Sequence, residues 1–201
     1  MVNLTSGTPE QARSLAGWPV ERGGGYLDGA AMSGTRLVAA PEALFLYSGA
    51  ADSFATAETA LTALGRAVHL GTDAGTASLY DTALLGMNLS MLSGFYHAAA
   101  LLGTTGVEPT AVASVAIDYL PFVTGLLADH ARQVEYGKYS GEDGTLDVYA
   151  AAVDHLVATS RDHGIDTTVP DGLAALIEHG TGAGHGHAGL VGVIATPSET
   201  W

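Results

Sequence analysis

The placement of apolar residues sets the plan of this chain. From Asp73 to Gly103 (DAGTASLYDTALLGMNLSMLSGFYHAAALLG) there is no proline and almost no charge. Leu79, Ala83, Leu84, Met87, Met91, Phe95 and Ala98 fall on one side of a helical wheel, and Leu85, Leu89, Leu92 and Leu102 on others. The pattern predicts one long helix, ~45 Å at ~1.5 Å rise per residue. A helix apolar all round is expected to be buried on every side. Phe54, Ala57, Leu61 and Leu64 predict a shorter helix over 51–64. Val112, Val115, Ile117, Leu120, Val123, Leu126 and Leu127 predict a second long one over 110–137, kinked at Pro121. Two more follow, over 146–163, stopped by Gly164, and from Val169-Pro170 onward. Upstream, Thr8 is an N-cap with Pro9 at the first helical position, and Pro19 ends or kinks that helix. Residues 26–32, 44–47 and 66–70 are strand candidates, and 33–40, 138–144 and 180–189 are loops. The chain therefore divides into an α/β segment, 1–72, and a helical segment, 73–201. The fold class is mainly α, a helical bundle built on one long central helix with a small α/β part at the N-terminal end.

The polar residues inside the long helix are the first candidates for chemistry. Asp81 is a carboxylate in an apolar segment, costly to bury unless it is paired or used. As a general acid or base it would need apolar surroundings that let it hold a proton near neutrality; the bland alternative is a buried Asp held by hydrogen bonds. Asn88 lies seven residues on, two turns along the same face, and is the best helical candidate for a substrate hydrogen bond. Leu85 and Tyr80 are candidate substrate contacts, although Tyr80 points about 100° away from Asp81 and need not share its site. His97, about 24 Å from Asp81 along the helix, is read as a core or interface histidine. His179, His185 and His187 are not taken as a metal site, because no carboxylate or thiolate completes the set. Glu142, Asp143 and Asp147 lack the alternating spacing of a calcium loop, and Asp154-His155 is read as helix surface.

Composition narrows the function. The 201 residues carry a formal net charge of −14, which argues against nucleic acid and anionic membranes as partners. Only 14% of residues are charged and 47% are hydrophobic, so part of the surface is expected to be covered by a second copy. There is no cysteine, hence no disulfide framework, and residues 1–13 do not form a signal peptide; a cytoplasmic location fits. Asp81 and the Asn88 and Ser90 pair interrupt the long helix, and no basic flank appears, so it is read as buried and soluble rather than membrane-spanning.

Several stretches taken together resemble the imine reductase and reductive aminase family, within the 6-phosphogluconate and β-hydroxyacid dehydrogenase superfamily. They are NLTSGTPEQAR at 3–13, YLDGAAM at 26–32, PEALFLYSG at 41–49, ALGRAVHLGTDAGTASLYDTALLGM at 63–87, LSGFYHAAALLG at 92–103, AAAVDHLVATSRDHGIDTTVP at 150–170 and GAGHGHAG at 182–189. The resemblance implies a Rossmann domain joined by one long helix to a helical bundle. It also implies two chains intertwined as a dimer around that helix, with each active site between one chain's Rossmann domain and its partner's bundle. It places Asp81 at the family's proton donor and Asn3 on a polar loop facing nicotinamide and substrate. Leu89 stands where several relatives carry a tyrosine beside the substrate.

The same comparison shows departures. Nothing before Asn3 supplies a glycine-rich phosphate turn or a ribose-reading residue. The expectation is therefore no cofactor, with NADP bound only if a separate nucleotide-binding chain provides it. On that basis the chain is expected to be a cofactor-independent cyclase, isomerase or lyase acting on an imine, iminium or related small molecule through Asp81. The alternatives are the substrate-binding half of an NADPH-dependent imine reductase or reductive aminase, split or truncated, and a non-catalytic small-molecule-binding protein.

Overall fold

The computed structural model describes residues 1–194. In chain order they form β1 (Val2–Asn3), α1 (Pro9–Val20), β2 (Leu27–Ala31), β3 (Leu44–Gly49), α2 (Ala51–Thr62), β4 (Arg66–His69), α3 (Thr76–Gly103), α4 (Pro109–Tyr136), α5 (Leu146–Asp162) and α6 (Thr168–Gly180). A short 3₁₀ turn at Thr35–Leu37 interrupts the expected loop after β2. The glycine–histidine stretch after α6 forms a wide turn over Thr181–His185. The chain forms two compact units, residues 1–90 and residues 91 onward, so the division falls within α3.

In the first unit the sheet order is β1-β2-β3-β4, with parallel, antiparallel and parallel pairings in turn. Helices α1 and α2 are the crossovers that parallel neighbours require. The local chemistry at α1 is a capping box. The Thr8 hydroxyl accepts the Gln11 backbone N–H, while the Gln11 side chain accepts the Thr8 N–H. Register sorts the two faces of the sheet. Leu27, Gly29 and Ala31 pair with Gly49, Tyr47 and Phe45, and this face packs under α2 with Leu61, Phe54 and Ala57. The opposite face carries Asn3, Asp28 and Ser48, paired Asn3 to Asp28 and Asp28 to Ser48. An apolar face of this kind stabilises by roughly 1.5–3 kcal/mol per large side chain buried. The other face is polar for a reason given below.

In the second unit Leu146, Ile177 and Val193 form a core, closed by Tyr149, Val153, Leu176 and Leu190. Thr145 caps α5 by accepting the Val148 N–H. Helix α4 is assigned unbroken through Pro121 and ends at Gly137, whose φ of 61° is the left-handed geometry of a helix terminator.

One expectation fails here. Only Ala77 and Ser78 of α3 are buried. Leu79, Leu85, Met87, Leu89, Met91 and Tyr96 are all about half exposed or more, with Met87 at 58% and Tyr96 at 61%. Apolar character all round does measure the apolar surface of the helix, and the described residues of this chain leave most of it exposed.

Candidate functional site

The site begins at the N-terminus of α3, which three elements hold in place. Strand β3 contributes Ser48, fully buried, whose hydroxyl accepts the Ala77 N–H at 2.9 Å and donates to the Ala74 carbonyl at 3.0 Å. One otherwise orphaned helix-start amide is thereby satisfied. Helix α1 contributes Arg13, which donates from Nε and Nη2 to the two oxygens of Asp73 at 2.9 and 2.8 Å. This fork, with the Gly75 N–H on the same carboxylate, holds Asp73 down at about 2. Gly75 has to be glycine: a Cβ there would lie 2.8 Å from the Arg13 guanidinium carbon and 2.9 Å from the Pro9 carbonyl. Strand β2 contributes Asp28, 1% exposed, which accepts the hydroxyl of Ser78 on the first turn of α3.

Asp28 is the centre of a small polar network. It also accepts the Asn3 Nδ2–H at 3.0 Å and the Tyr26 hydroxyl at 3.1 Å. Burial pushes Tyr26 up to about 12, so its hydroxyl keeps its proton and stays a donor. Asn3 Oδ1 in turn accepts the Thr5 N–H at 3.3 Å and the Thr5 hydroxyl. This network opens on a crevice of about 390 Å³ at the carboxyl end of β1, walled by Asn3, Thr5, Ser6, Gln11, Asp28 and Ser78.

Three residues further along α3, about one turn and ~4.5 Å, lies Asp81. It is half-buried and, among the described residues, makes no hydrogen bond or ion pair. It lines an open cleft of about 590 Å³ with Leu84, Leu85, Met87 and Asn88 from α3, and residues 31–34 from the end of β2. The wall facing the helix is fixed by the Ser33 hydroxyl, which accepts the Leu44 N–H, and by the Met32 N–H donating to the Leu44 carbonyl. The arrangement gives a carboxylate with both oxygens available, one amide and an apolar lining.

The structure thus brings Asp81, Leu85 and Asn88 together in one cleft and places Asn3 in the neighbouring crevice. Tyr80, 47% exposed, and Leu89, 54% exposed, are not among the walls of either. His97 lies elsewhere, its Nε2 3.0 Å from the buried Ser160 hydroxyl on α5, which donates to the Leu156 carbonyl. Asp28, Ser78 and Ser48 were not singled out from sequence. The signal available was a lone acid at alternating spacing from Tyr26 within a strand otherwise short of charge.

The crevice also tests what kind of cofactor these residues could hold. Its walls carry one acid, Asp28, and no Lys or Arg. It does not suit phosphates, which call for cationic side chains or a glycine-rich helix start.

A half-sheet with helical crossovers feeds one long helix that starts at a polar network and carries a carboxylate beside an apolar cleft. Comparison with known proteins makes this specific. Residues 73–198 match the family described as NADPH-dependent reductive aminase-like, C-terminal domain. The chain is 35% identical over 198 residues to an NADPH-dependent reductive aminase of Aspergillus oryzae, covering 96% of this chain and 67% of that protein. It superposes with a TM-score of 0.90 on a reductive aminase from Aspergillus terreus in complex with NADPH and ethyl-5-oxohexanoate, at 36% identity, covering 96% of this chain and 68% of the other. An imine reductase from Myxococcus stipitatus in complex with NADP+ gives 0.88 at 30% identity, over 96% and 68% of the two chains. The chain belongs to the imine reductase and reductive aminase family and corresponds to the C-terminal part of its members.

This overturns the expectation of a pocket that works without a cofactor. The three relatives named above are NADPH-dependent or were solved with NADPH or NADP+. The physical basis of the error is plain. The expectation rested on the lack of a glycine-rich turn in these residues, whereas the chain spans only about two thirds of the length of the relatives it matches. The cyclase, isomerase or lyase reading finds no support among the relatives either.

Proposed function

We propose that this chain supplies the substrate-facing part of an NADPH-dependent imine reductase or reductive aminase, with Asp81 as its proton-transfer group. The observation that carries the proposal is the position of Asp81. It stands one turn beyond the anchored start of α3, in a cleft with Asn88, and about one turn from the crevice that suits a nicotinamide. NADPH, when bound, supplies a hydride to the carbon of a C=N bond. Asp81 holds a proton at the imine nitrogen, which favours the iminium form that accepts hydride more readily. Leu84, Leu85 and Met87 give the cleft its apolar lining beside the carboxylate. Asn88 orients the substrate by a hydrogen bond.

Two surfaces support the rest of this reading. Strand β1 has no strand partner on its outer edge among the described residues, and α1 beside it exposes Leu15, Trp18 and Val20, Trp18 at 58%. An open parallel edge next to exposed apolar side chains fits a nucleotide-binding portion seated there. In the second unit, Met91, Leu92, Phe95, Ala98, Val112 and Ala116 bound an apolar groove of about 460 Å³ between α3 and α4. A second copy of the chain, seated through the long helix, is the occupant this groove fits.

The test is NADPH-linked reduction of a cyclic imine, run with the chain alone and with a relative's nucleotide-binding domain supplied in trans. Asp81→Asn is expected to lower kcat by about 100-fold or more with the fold intact, the range of a lost general acid. A variant that turns over at the native rate removes Asp81 from the mechanism.

A further inference from the structure

Most basic side chains of this acidic chain are already paired: Arg13, Arg22, Arg132 and Arg161 each hold a carboxylate. Arg36 and Arg66, the other basic residues of the first unit, make no side-chain hydrogen bond or ion pair among the described residues. Both stand at the same end of the sheet. Arg66 opens β4 opposite Leu44 of β3, and Leu44 is bonded to Met32 and Ser33 at the end of β2. Met32 and Ser33 are walls of the Asp81 cleft. Arg66 is thus two strand spacings from that wall, roughly 10 Å and about one Debye length in 0.1 M salt.

Arg36 is closer. The Leu37 N–H donates to the Gly34 carbonyl at 2.9 Å, so Arg36 sits in a tight turn closed on a residue of the cleft wall. At ~2 Å rise per residue it stands about 4 Å along that turn from Gly34. The segment that follows is strained. Ala39 has a φ of 67°, a left-handed conformation that a Cβ disfavours, and its N–H is tied to the Leu64 carbonyl at 2.8 Å. Strain of this kind persists where the surroundings fix it, and it gathers at ligand sites. Glu42 lies exposed in the same loop, yet neither arginine pairs with it. The field of a chain of net charge −14 repels anions, so an anionic substrate group needs a local cation to approach. Arginine's planar fork suits a carboxylate.

We propose that the substrate of this cleft bears a carboxylate remote from its reacting C=N or C=O carbon, and that Arg36 receives it at the rim. Asp81 and Asn88 serve the reacting end, and Arg36 the anionic end. Arg66 adds positive field at the same end of the sheet. The inference rests on reading this cleft as the substrate site and adds the charge of what enters it.

The probes are 4-oxocyclohexanecarboxylate and its methyl ester, which differ in charge and little in size. Each is titrated into the purified chain by calorimetry at low ionic strength. The native chain is expected to bind the acid about tenfold more tightly than the ester, the scale of one charge-assisted hydrogen bond. Added salt should shrink that preference. Arg36→Gln should abolish it, while Arg36→Lys, which keeps the charge, should retain most of it. Arg22→Gln removes the same charge from the turn leading into β2, at the strand's other end, and should leave the preference intact. Equal binding of acid and ester by the native chain, binding of neither, or a preference that survives Arg36→Gln overturns the proposal. Loss of the preference in Arg22→Gln also overturns it, because net charge alone would then account for the effect. None of these readouts needs turnover. Acid-selective binding by a chain that supports no NADPH-linked reduction would count against the proposed function and not against this inference.

Discussion

Arg13 and Asp73 are sixty positions apart in sequence and share two hydrogen bonds at the start of α3. A carboxylate held down at about 2 stabilises the native state above its ordinary value of 3.8, and that contribution fades as pH falls through 2. Melting curves between pH 6 and 2 are therefore expected to show an acid-side fall in Tm in the native chain. The fall should be smaller in Arg13→Ala, which has already lost the pair at neutral pH. Equal falls would mean the pair adds nothing. At this scale the sequence was only partly legible. Asp81 and Asn88 stood out because polar residues in an apolar helix are conspicuous, and their seven-residue spacing put them on one face. Asp28 did not stand out. Its meaning comes from pairing with Asn3 across a two-residue strand and from Ser78 fifty positions away, and neither contact leaves a local pattern.

The elements were more legible than their surroundings. Helical period located α2 through α6 closely, and Thr8 and Gly164 marked helix ends by capping chemistry. Strand β1 was missed because two residues carry no alternation to read. The burial of α3 was misjudged because periodicity tells how much apolar surface a helix has, not which chain covers it. Helix α4 raises the same issue: Val115 is 70% and Ile117 67% exposed, and the helix is long and apolar enough by composition to cross a membrane. Cover by a second copy makes a different prediction from cover by lipid. Phe95→Asp, in the groove between α3 and α4, should halve the mass measured by light scattering in detergent-free buffer. A native chain that is monomeric there, or a variant that stays paired, would rule out the groove as the interface.

For the molecule as a whole, the division of labour follows from charge and shape. A chain of net charge −14 whose crevice beside Asn3 and Asp28 holds no Lys or Arg is poorly suited to phosphates. Under the proposed function, the apolar cleft and the carboxylate beside it supply orientation and a proton, and NADPH, on which the Aspergillus oryzae relative depends, supplies the hydride. The measurement that tests this most directly is stoichiometry: moles of NADPH oxidised against moles of amine formed from a cyclic imine, with a nucleotide-binding domain of a relative present. The account predicts one for one, with both falling together in Asp81→Asn. Imine consumed into a cyclised or isomerised product with no NADPH oxidised would contradict it.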